Sequence, residues 1–325
     1  VKSYIKNFSK QLKEALVIGE NAKLTGGKKQ FSHIVIAGMG GSGIGGTIVS
    51  ELILNDSKVP IAVIKNYSLP AYVNSDTLVI ISSYSGNTEE AVSALRHALQ
   101  KKAKIVCTAS GGKLIKIAKE KKIDHIVVPG GMPPRVCLGY LLVQNFFILN
   151  HFGVISDKFK KDFRASIVLL DKEEKNIQKE AKKVAKIIFQ KFPIIYSPVG
   201  HEGVAIRFRQ QLNENSKMLA MHHVIPEMNH NELVGWTKKD KNLAVVIFRN
   251  KTDHSQVKKR IDITKKIISK YTPNIVDIYS KGNSLIEKTM YHIHLGDYVS
   301  AFLADMKKID AHEVRVVEYL KLALK

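Results

Sequence analysis

Two short stretches constrain this chain more than anything else in it. The first is Val35-Ile36-Ala37-Gly38-Met39-Gly40-Gly41-Ser42-Gly43-Ile44-Gly45-Gly46, and the second is Val79-Ile80-Ile81-Ser82-Ser83-Tyr84-Ser85-Gly86-Asn87-Thr88-Glu89-Glu90. Each is an apolar strand that breaks into a turn of small residues and then enters a helix. Such a turn points backbone N–H groups at one spot, and the helix adds the positive end of its dipole. The result is a place for a phosphate. Ser42, Ser83, Ser85 and Thr88 supply hydroxyls, which suit a terminal phosphate monoester better than a buried pyrophosphate, and Gly41 permits close backbone approach. N-capping accounts for one hydroxyl at a helix start, but not for a cluster in a Gly-bearing turn after a buried strand.

The competing reading of the first turn is a dinucleotide fold, because Gly38-x-Gly40-x-x-Gly43 fits the glycine pattern of nicotinamide and flavin proteins. That fold also wants an acidic residue at the end of the second strand, roughly 20 residues on, to hold the ribose hydroxyls. Here that strand, Pro60 to Ile64, ends in Lys65-Asn66. The acid is missing, although Lys65 leaves a 2′-phosphate, and so NADP, as the surviving form of this alternative.

The rest of the sequence narrows the class. A chain of 325 residues holds two ordinary domains or one large one. No apolar run is long enough to span a bilayer, since Val136 to Phe152 is interrupted by Gln144, Asn145 and Asn150 and reads as a buried helix. The first residues, Val1-Lys2-Ser3-Tyr4-Ile5-Lys6-Asn7, read as an amphipathic helix start without an apolar signal region. Cys107 and Cys137 lie among apolar neighbours without metal-like spacing, as expected of buried thiols in a reducing cytoplasm. The net charge of +22 raises nucleic acid as a partner, but the lysines are scattered over Lys101-Lys102, Lys119 to Lys122, Lys158 to Lys161 and Lys179 to Lys186. No nucleic-acid-binding motif accompanies them. A solvated lysine-rich surface is the better reading, and its positive potential would attract an anionic sugar phosphate.

Strands and helices alternate along the chain. Strands Ile34 to Ala37, Pro60 to Ile64, Leu78 to Ser82, Lys104 to Thr108 and His125 to Val128 are interleaved with helices Ile44 to Leu54, Thr88 to Lys101 and Lys113 to Lys121. Continuous runs such as Leu78-Val79-Ile80-Ile81 suit parallel strands covered on both faces. After a junction near Gly153 to Lys158 the alternation resumes. A charged helix, Lys172 to Lys191, leads to strand Pro193 to Ser197 and to Pro198-Val199-Gly200-His201-Glu202-Gly203, a weaker copy of the first strand-turn-helix. Strands Leu243 to Phe248 and Ile275 to Ile278 flank helix Val257 to Lys270, and helices Leu295 to Met306 and Val314 to Leu324 close the chain. The expected fold is α/β, with two doubly wound parallel-sheet domains of flavodoxin-like architecture over residues 1–153 and 154–325. The ligand belongs at the C-terminal ends of the strands.

The Gly38 to Gly46 turn, Ser83-Tyr84-Ser85-Gly86-Asn87-Thr88, Leu212-Asn213-Glu214-Asn215-Ser216-Lys217 and Asn229-His230-Asn231-Glu232 resemble the sugar isomerase (SIS) domain superfamily. Within it they resemble the bifunctional phosphoglucose/phosphomannose isomerase family of archaea and bacteria. The resemblance runs through most of the chain. It implies two SIS domains and a homodimer with active sites at the interface. It also implies interconversion of glucose 6-phosphate, and of mannose 6-phosphate, with fructose 6-phosphate through a cis-enediol, without cofactor or metal. That chemistry needs a base to move a proton between C2 and C1, a group to open the sugar ring, a cation beside the enediolate, and hydroxyls for the phosphate.

By resemblance Glu214 is the base, His230 the ring-opening acid/base reaching the site from the neighbouring subunit, and Lys321 a substrate-binding or ring-opening residue. Arg135, in Gly130-Gly131-Met132-Pro133-Pro134-Arg135, has the constant charge and rigid turn that suit a fixed cation beside an enediolate. Gly41, Ser42, Ser83, Ser85 and Thr88 hold the phosphate. Each residue also has a plainer reading: a solvated helix carboxylate for Glu214, a helix-capping loop residue for Arg135, a surface lysine for Lys321. His222, His223, Glu227 and His230 are close enough in sequence to raise a zinc site, but their spacing matches no standard motif. One departure stands out. In some dual-specificity members a threonine several residues before that lysine is linked to accepting mannose 6-phosphate, and Asp310-Ala311-His312-Glu313-Val314-Arg315 contains none. The competing functions are another sugar-phosphate isomerase and a non-catalytic sugar-phosphate sensor.

Overall fold

The computed structural model describes residues 1–324; residue 325, the end of the expected second domain, lies outside the described residues. The elements, in order, are α1 (Lys2–Lys6), α2 (Phe8–Glu20), β1 (His33–Ala37), α3 (Gly40–Leu52), β2 (Ile61–Ile64), β3 (Thr77–Ser82), α4 (Glu89–Gln100), β4 (Lys104–Ala109), α5 (Gly112–Glu120), β5 (Asp124–Val127), α6 (Leu138–His151) and α7 (Lys158–Ile188). They continue as β6 (Phe192–Pro198), α8 (Glu202–Ser216), β7 (Met221–Ile225), β8 (Leu243–Arg249), α9 (Ser255–Ile268), β9 (Ile275–Tyr279), α10 (Leu285–Met306) and α11 (Arg315–Ala323). The chain forms two compact units. One comprises Asn7–Asp171 with Asn283–Glu287, and the other Val1–Lys6, Lys172–Gly282 and the chain from Lys288 on. The expected junction at Gly153/Val154 lies ahead of α7, whereas the units part within that helix.

In the first unit five parallel strands stand in the order β2-β1-β3-β4-β5. Side chains alternate across the sheet. Val35, Val79, Ile81, Ile105 and Cys107 face one way, into a core completed by Ala91 and Leu95 of α4 and Leu114 and Ala118 of α5. Ile36 faces the other way, against α3, where a Cβ on Gly46 would lie 2.8 Å from its Cγ2. Burial pushes the Cys107 thiol up to about 12, which leaves it a packing residue rather than a nucleophile. The sheet order reverses between β1 and β3, and Ala37 pairs with Ile81. The two small-residue turns therefore leave neighbouring strands at one level, beside the crevice where open α/β sheets bind ligands.

The second unit repeats this plan with the order β7-β6-β8-β9, all parallel. Ile194, Tyr196, Val245 and Ile247 pack with Val257, Ile261 and Ile268 of α9. Phe248 faces the other way and meets Phe208 of α8 edge-on at 5.6 Å.

Strand β7 has no counterpart among the strands expected from sequence because His222 and His223 interrupt its apolar run, and four of its five residues are only half-buried. Helix α10 begins ten residues before the expected Leu295, because Thr289, His292 and His294 are buried polar residues that mask the apolar pattern. The lysine runs lie in solvent: Lys101, Lys102, Lys119, Lys121, Lys122, Lys179, Lys182, Lys183 and Lys186 are all exposed. No helix among the described residues is long and apolar enough to cross a membrane.

Candidate active site

The first turn is built by close approach. A Cβ on Gly38 would lie 2.7 Å from the Ser82 carbonyl oxygen, and one on Gly43 would lie 2.4 Å from that of Gly38. Only glycine lets the exits of β1 and β3 press together and α3 begin at once. That is why α3 starts at Gly40 and not at the expected Ile44, despite the poor helix propensity of its glycines.

Ser42, buried in the first turn of α3, accepts a hydrogen bond from the Tyr84 N–H at 3.1 Å and so joins the two turns. Thr88 is the N-cap of α4, yet its hydroxyl makes no capping bond. It pairs instead with the Ser83 hydroxyl at 2.9 Å. Ser85 stands apart: its exposed Oγ accepts from the Asn87 N–H at 3.2 Å within its own turn.

Arg135 is brought to the same place. A Cβ on Gly41 would lie 3.1 Å from the Pro134 carbonyl oxygen and 3.7 Å from the Arg135 Cα. The Arg135 segment is therefore seated against the first turn, and the arginine is only 4% exposed. The Met132 N–H donates to the Tyr84 hydroxyl at 3.2 Å, which ties this loop to the second turn as well. Gly41, Ser42, Ser83, Thr88 and Arg135 thus gather at the switch point of the first sheet, with two helix N-termini beside them. Hydroxyls, helix dipoles and an arginine whose backbone adjoins them suit a phosphorylated anion.

In the second unit Glu214 lies in the last turn of α8, half-buried. Its surroundings are anchored. Asn215 and Ser216 hydrogen-bond Ser300 of α10 at 3.0 and 2.8 Å. Two helical turns earlier, Arg207 makes a buried two-point ion pair with Asp297, at 2.9 and 3.2 Å. Lys217 closes the helix in the left-handed conformation (φ 51°), and its Nζ donates to the Glu214 carbonyl at 2.6 Å. A fixed backbone carrying a half-exposed carboxylate is what a positioned base requires.

His230 ends a short 3-10 turn, Glu227–His230, that follows the cis Ile225–Pro226 bond. Met228 is fully buried, and Asn229 is held by the Thr264 hydroxyl at 2.8 Å. Asn231 bonds Glu227 at 2.9 Å. The loop is tethered, while His230 itself keeps part of its surface in solvent. Among the described residues no three His, Cys, Asp or Glu side chains gather as a metal site. Lys321 lies on α11, which buries none of its residues and exposes Val316, Tyr319, Leu320 and Leu322.

Sequence reasoning missed three groups. Tyr84 belongs to the second turn, and its hydroxyl reaches the Met132 N–H of the Arg135 loop. Gln11, a buried glutamine of α2, carried no signal. The third is a pair of imidazoles at the weaker strand-turn-helix: His201 Nε2 lies 2.8 Å from His292 Nδ1, and His292 Nε2 bonds the Ile278 carbonyl at 3.1 Å.

Both rings of this pair are buried. Burial pushes His201 down from its ordinary 6.5 to about 4, and burial followed by the neighbouring His201 holds His292 well below its ordinary value. Both rings are therefore neutral in the fold, whereas the unfolded chain takes protons on both below about pH 6.5. Their contribution to stability is complete above about pH 6.5 and is lost as the pH falls from there toward 4. For His201 alone the loss is roughly 3 kcal/mol. Urea unfolding across this range is expected to show that decline, and H292F is expected to flatten it. An unchanged slope in H292F would contradict the assignment.

Known proteins resemble this chain in sequence and in fold. Residues 177–324 match the family model described as the bacterial phospho-glucose isomerase C-terminal SIS domain. The chain is 38% identical to the bifunctional phosphoglucose/phosphomannose isomerase of Caldicellulosiruptor bescii, over 97% of this chain and 96% of that one. It is 37% identical to the protein of the same name from Aquifex aeolicus, over 91% of each. The fold resembles the C-terminal domain of glucosamine-fructose-6-phosphate aminotransferase from Francisella tularensis, with a TM-score of 0.75, 17% identity, and coverage of 95% of this chain and 98% of that one.

Proposed function

We infer the reaction from one premise: this chain belongs to the bifunctional phosphoglucose/phosphomannose isomerase family. It interconverts glucose 6-phosphate and mannose 6-phosphate with fructose 6-phosphate. The observation that supports the reading is that the backbone of a buried arginine, Arg135, is seated against the hydroxyl-bearing turns.

The steps follow from the roles. Ser42, Ser83, Ser85 and Thr88, with backbone N–H groups at Gly41, hold the phosphate. His230 moves the proton that opens the ring, assisted by Lys321. The Glu214 carboxylate takes the proton from C2 of the open aldose, while the O2 proton passes to O1, and the planar cis-enediolate results. Glu214 then returns its proton to C1, giving the C2 ketone. The charge that develops on the enediolate oxygens is steadied by the Arg135 guanidinium, whose fixed orientation costs no reorganisation as the charge appears. C2 loses its configuration in the enediol, so glucose and mannose phosphates converge on one intermediate.

The chain acts as a homodimer, with His230 supplied across the interface; the solvent-facing setting of His230 and of the apolar face of α11 supports this. Cys107 and Cys137 are buried and not joined in a disulfide, which suits work in a reducing cytoplasm.

The test is turnover of purified protein on fructose 6-phosphate and on mannose 6-phosphate, with EDTA present. Turnover of both is expected. Turnover of fructose 6-phosphate alone would make the absent threonine the reason for a narrower enzyme and remove the mannose half of the reading. Turnover of neither overturns the reading and favours the sensor alternative.

A further inference from the structure

Arg135 is followed at once by the start of α6, and that helix start lacks a local cap. Cys137 occupies the N-cap position without a side-chain capping bond. The N–H groups of the first turn of any helix have no partner within it, and here one of them is met from a different helix. The Gly139 N–H donates to Gln11 Oε1 at 2.7 Å. The same side chain donates from Nε2 to the Val136 carbonyl at 2.8 Å. Gln11 is only 6% exposed. A Cβ on Gly139 would lie 2.6 Å from Gln11 Oε1, so glycine there is what admits the amide.

Below this contact α2 stays zipped to α6. The Tyr140 hydroxyl donates to Glu14 at 2.6 Å, and the buried Gln144 amide donates to the Ala15 carbonyl at 2.8 Å. Gly19 meets the Phe147 ring so closely that a Cβ would lie 2.0 Å from it.

We propose that Gln11 is a positioning residue for Arg135. The arginine's turn is held at Met132 by the Tyr84 hydroxyl and at Val136 by the Gln11 amide. Pro133 and Pro134 stiffen the backbone between those two points. Gln11 touches no substrate atom. It fixes the peptide next to Arg135 and so fixes where the guanidinium sits when charge develops on the enediolate. An error of about 1 Å in such a group is enough to cost about 100-fold in rate. The inference rests on the assignment of Arg135 as the enediolate's cation, and the experiment separates the two.

The experiment measures kcat for fructose 6-phosphate in wild type, Q11M, R135A and Q11M/R135A, with thermal unfolding of each. Methionine keeps the length and bulk of glutamine and removes both hydrogen bonds. Q11M is expected to lower kcat by about 10- to 100-fold, with KM moving far less. In the R135A background the same change is expected to lower kcat by less than about twofold, because the group it positions is already gone. Equal fold losses in both backgrounds would mean a merely structural role and overturn the inference. A folded Q11M with wild-type kcat beside a crippled R135A would overturn it while leaving Arg135's role intact. A fully active R135A would overturn the role of Arg135 itself, and the inference with it. Q11E, which keeps the bond from Gly139 and loses the one to Val136, is expected to fall between wild type and Q11M. It takes the place of Q11M in the cycle if Q11M fails to fold.

Discussion

Glu214→Gln is expected to lower kcat for fructose 6-phosphate by about 10²- to 10⁴-fold, the usual contribution of a positioned general base, and to leave KM nearly unchanged. The substitution keeps the size and polarity of the side chain, so the anchors around it persist: the bonds of Asn215 and Ser216 to Ser300 and the ion pair of Arg207 with Asp297. The turns that carry Ser42, Ser83 and Thr88 belong to the other unit. What is lost is the capacity to carry a proton between C2 and C1. Steady-state kinetics with a thermal-unfolding control check this directly. Wild-type kcat in a folded E214Q protein would remove Glu214 from the mechanism.

His230→Ala carries the second large effect, because it removes the group assigned to ring opening. A general acid/base of this kind contributes about 10²- to 10⁴-fold, and H230A is expected to fall by that order in kcat while folding normally, since the partly solvated ring belongs to no core cluster. The more telling measurement mixes E214Q and H230A subunits. If His230 acts across a two-fold interface, each mixed dimer holds one site with both groups intact and one with neither. A fully exchanged equal mixture then recovers about one quarter of wild-type activity by C2 symmetry. If both groups serve the site of their own chain, every site carries one defect and nothing is recovered, which would place His230 in cis.

How much of this was legible in the sequence depended on distance along the chain. The two small-residue turns were legible as turns because their glycines and hydroxyls are contiguous and their geometry is local. Ser83 and Thr88 lie five residues apart and pair as a turn should. Ser85 is held differently from its neighbours: its hydroxyl accepts from the Asn87 N–H, which leaves its own proton to donate elsewhere.

Elements whose burial is carried by polar residues were hidden. Strand β7 reads as polar through His222 and His223, and the front of α10 is obscured by Thr289, His292 and His294, all buried. Contacts between distant segments left no trace at all. The His201–His292 pair spans 91 residues and the Gln11–Gly139 bond spans 128. Neither has a pattern that periodicity could report. Arg135 is intermediate. Its two prolines announced a rigid turn, but its seat against Gly41 appears only once β1 and β3 are neighbours.

The central claim is that a carboxylate shuttles a proton through an enediol, and the most direct test is isomerisation in D2O. A base that exchanges its proton with solvent must wash deuterium into the sugar over many turnovers. After prolonged incubation of fructose 6-phosphate with the wild-type protein, NMR of the recovered glucose 6-phosphate is expected to show deuterium at C2. The E214Q protein is expected to form almost no glucose 6-phosphate over the same time and to leave the C1 hydrogens of fructose 6-phosphate unexchanged. Product formed at full rate with C2 wholly protonated, even at equilibrium, would mean that hydrogen passes directly between the carbons. That result would contradict Glu214 as the proton carrier, Arg135 as the enediolate's cation, and the enediol itself.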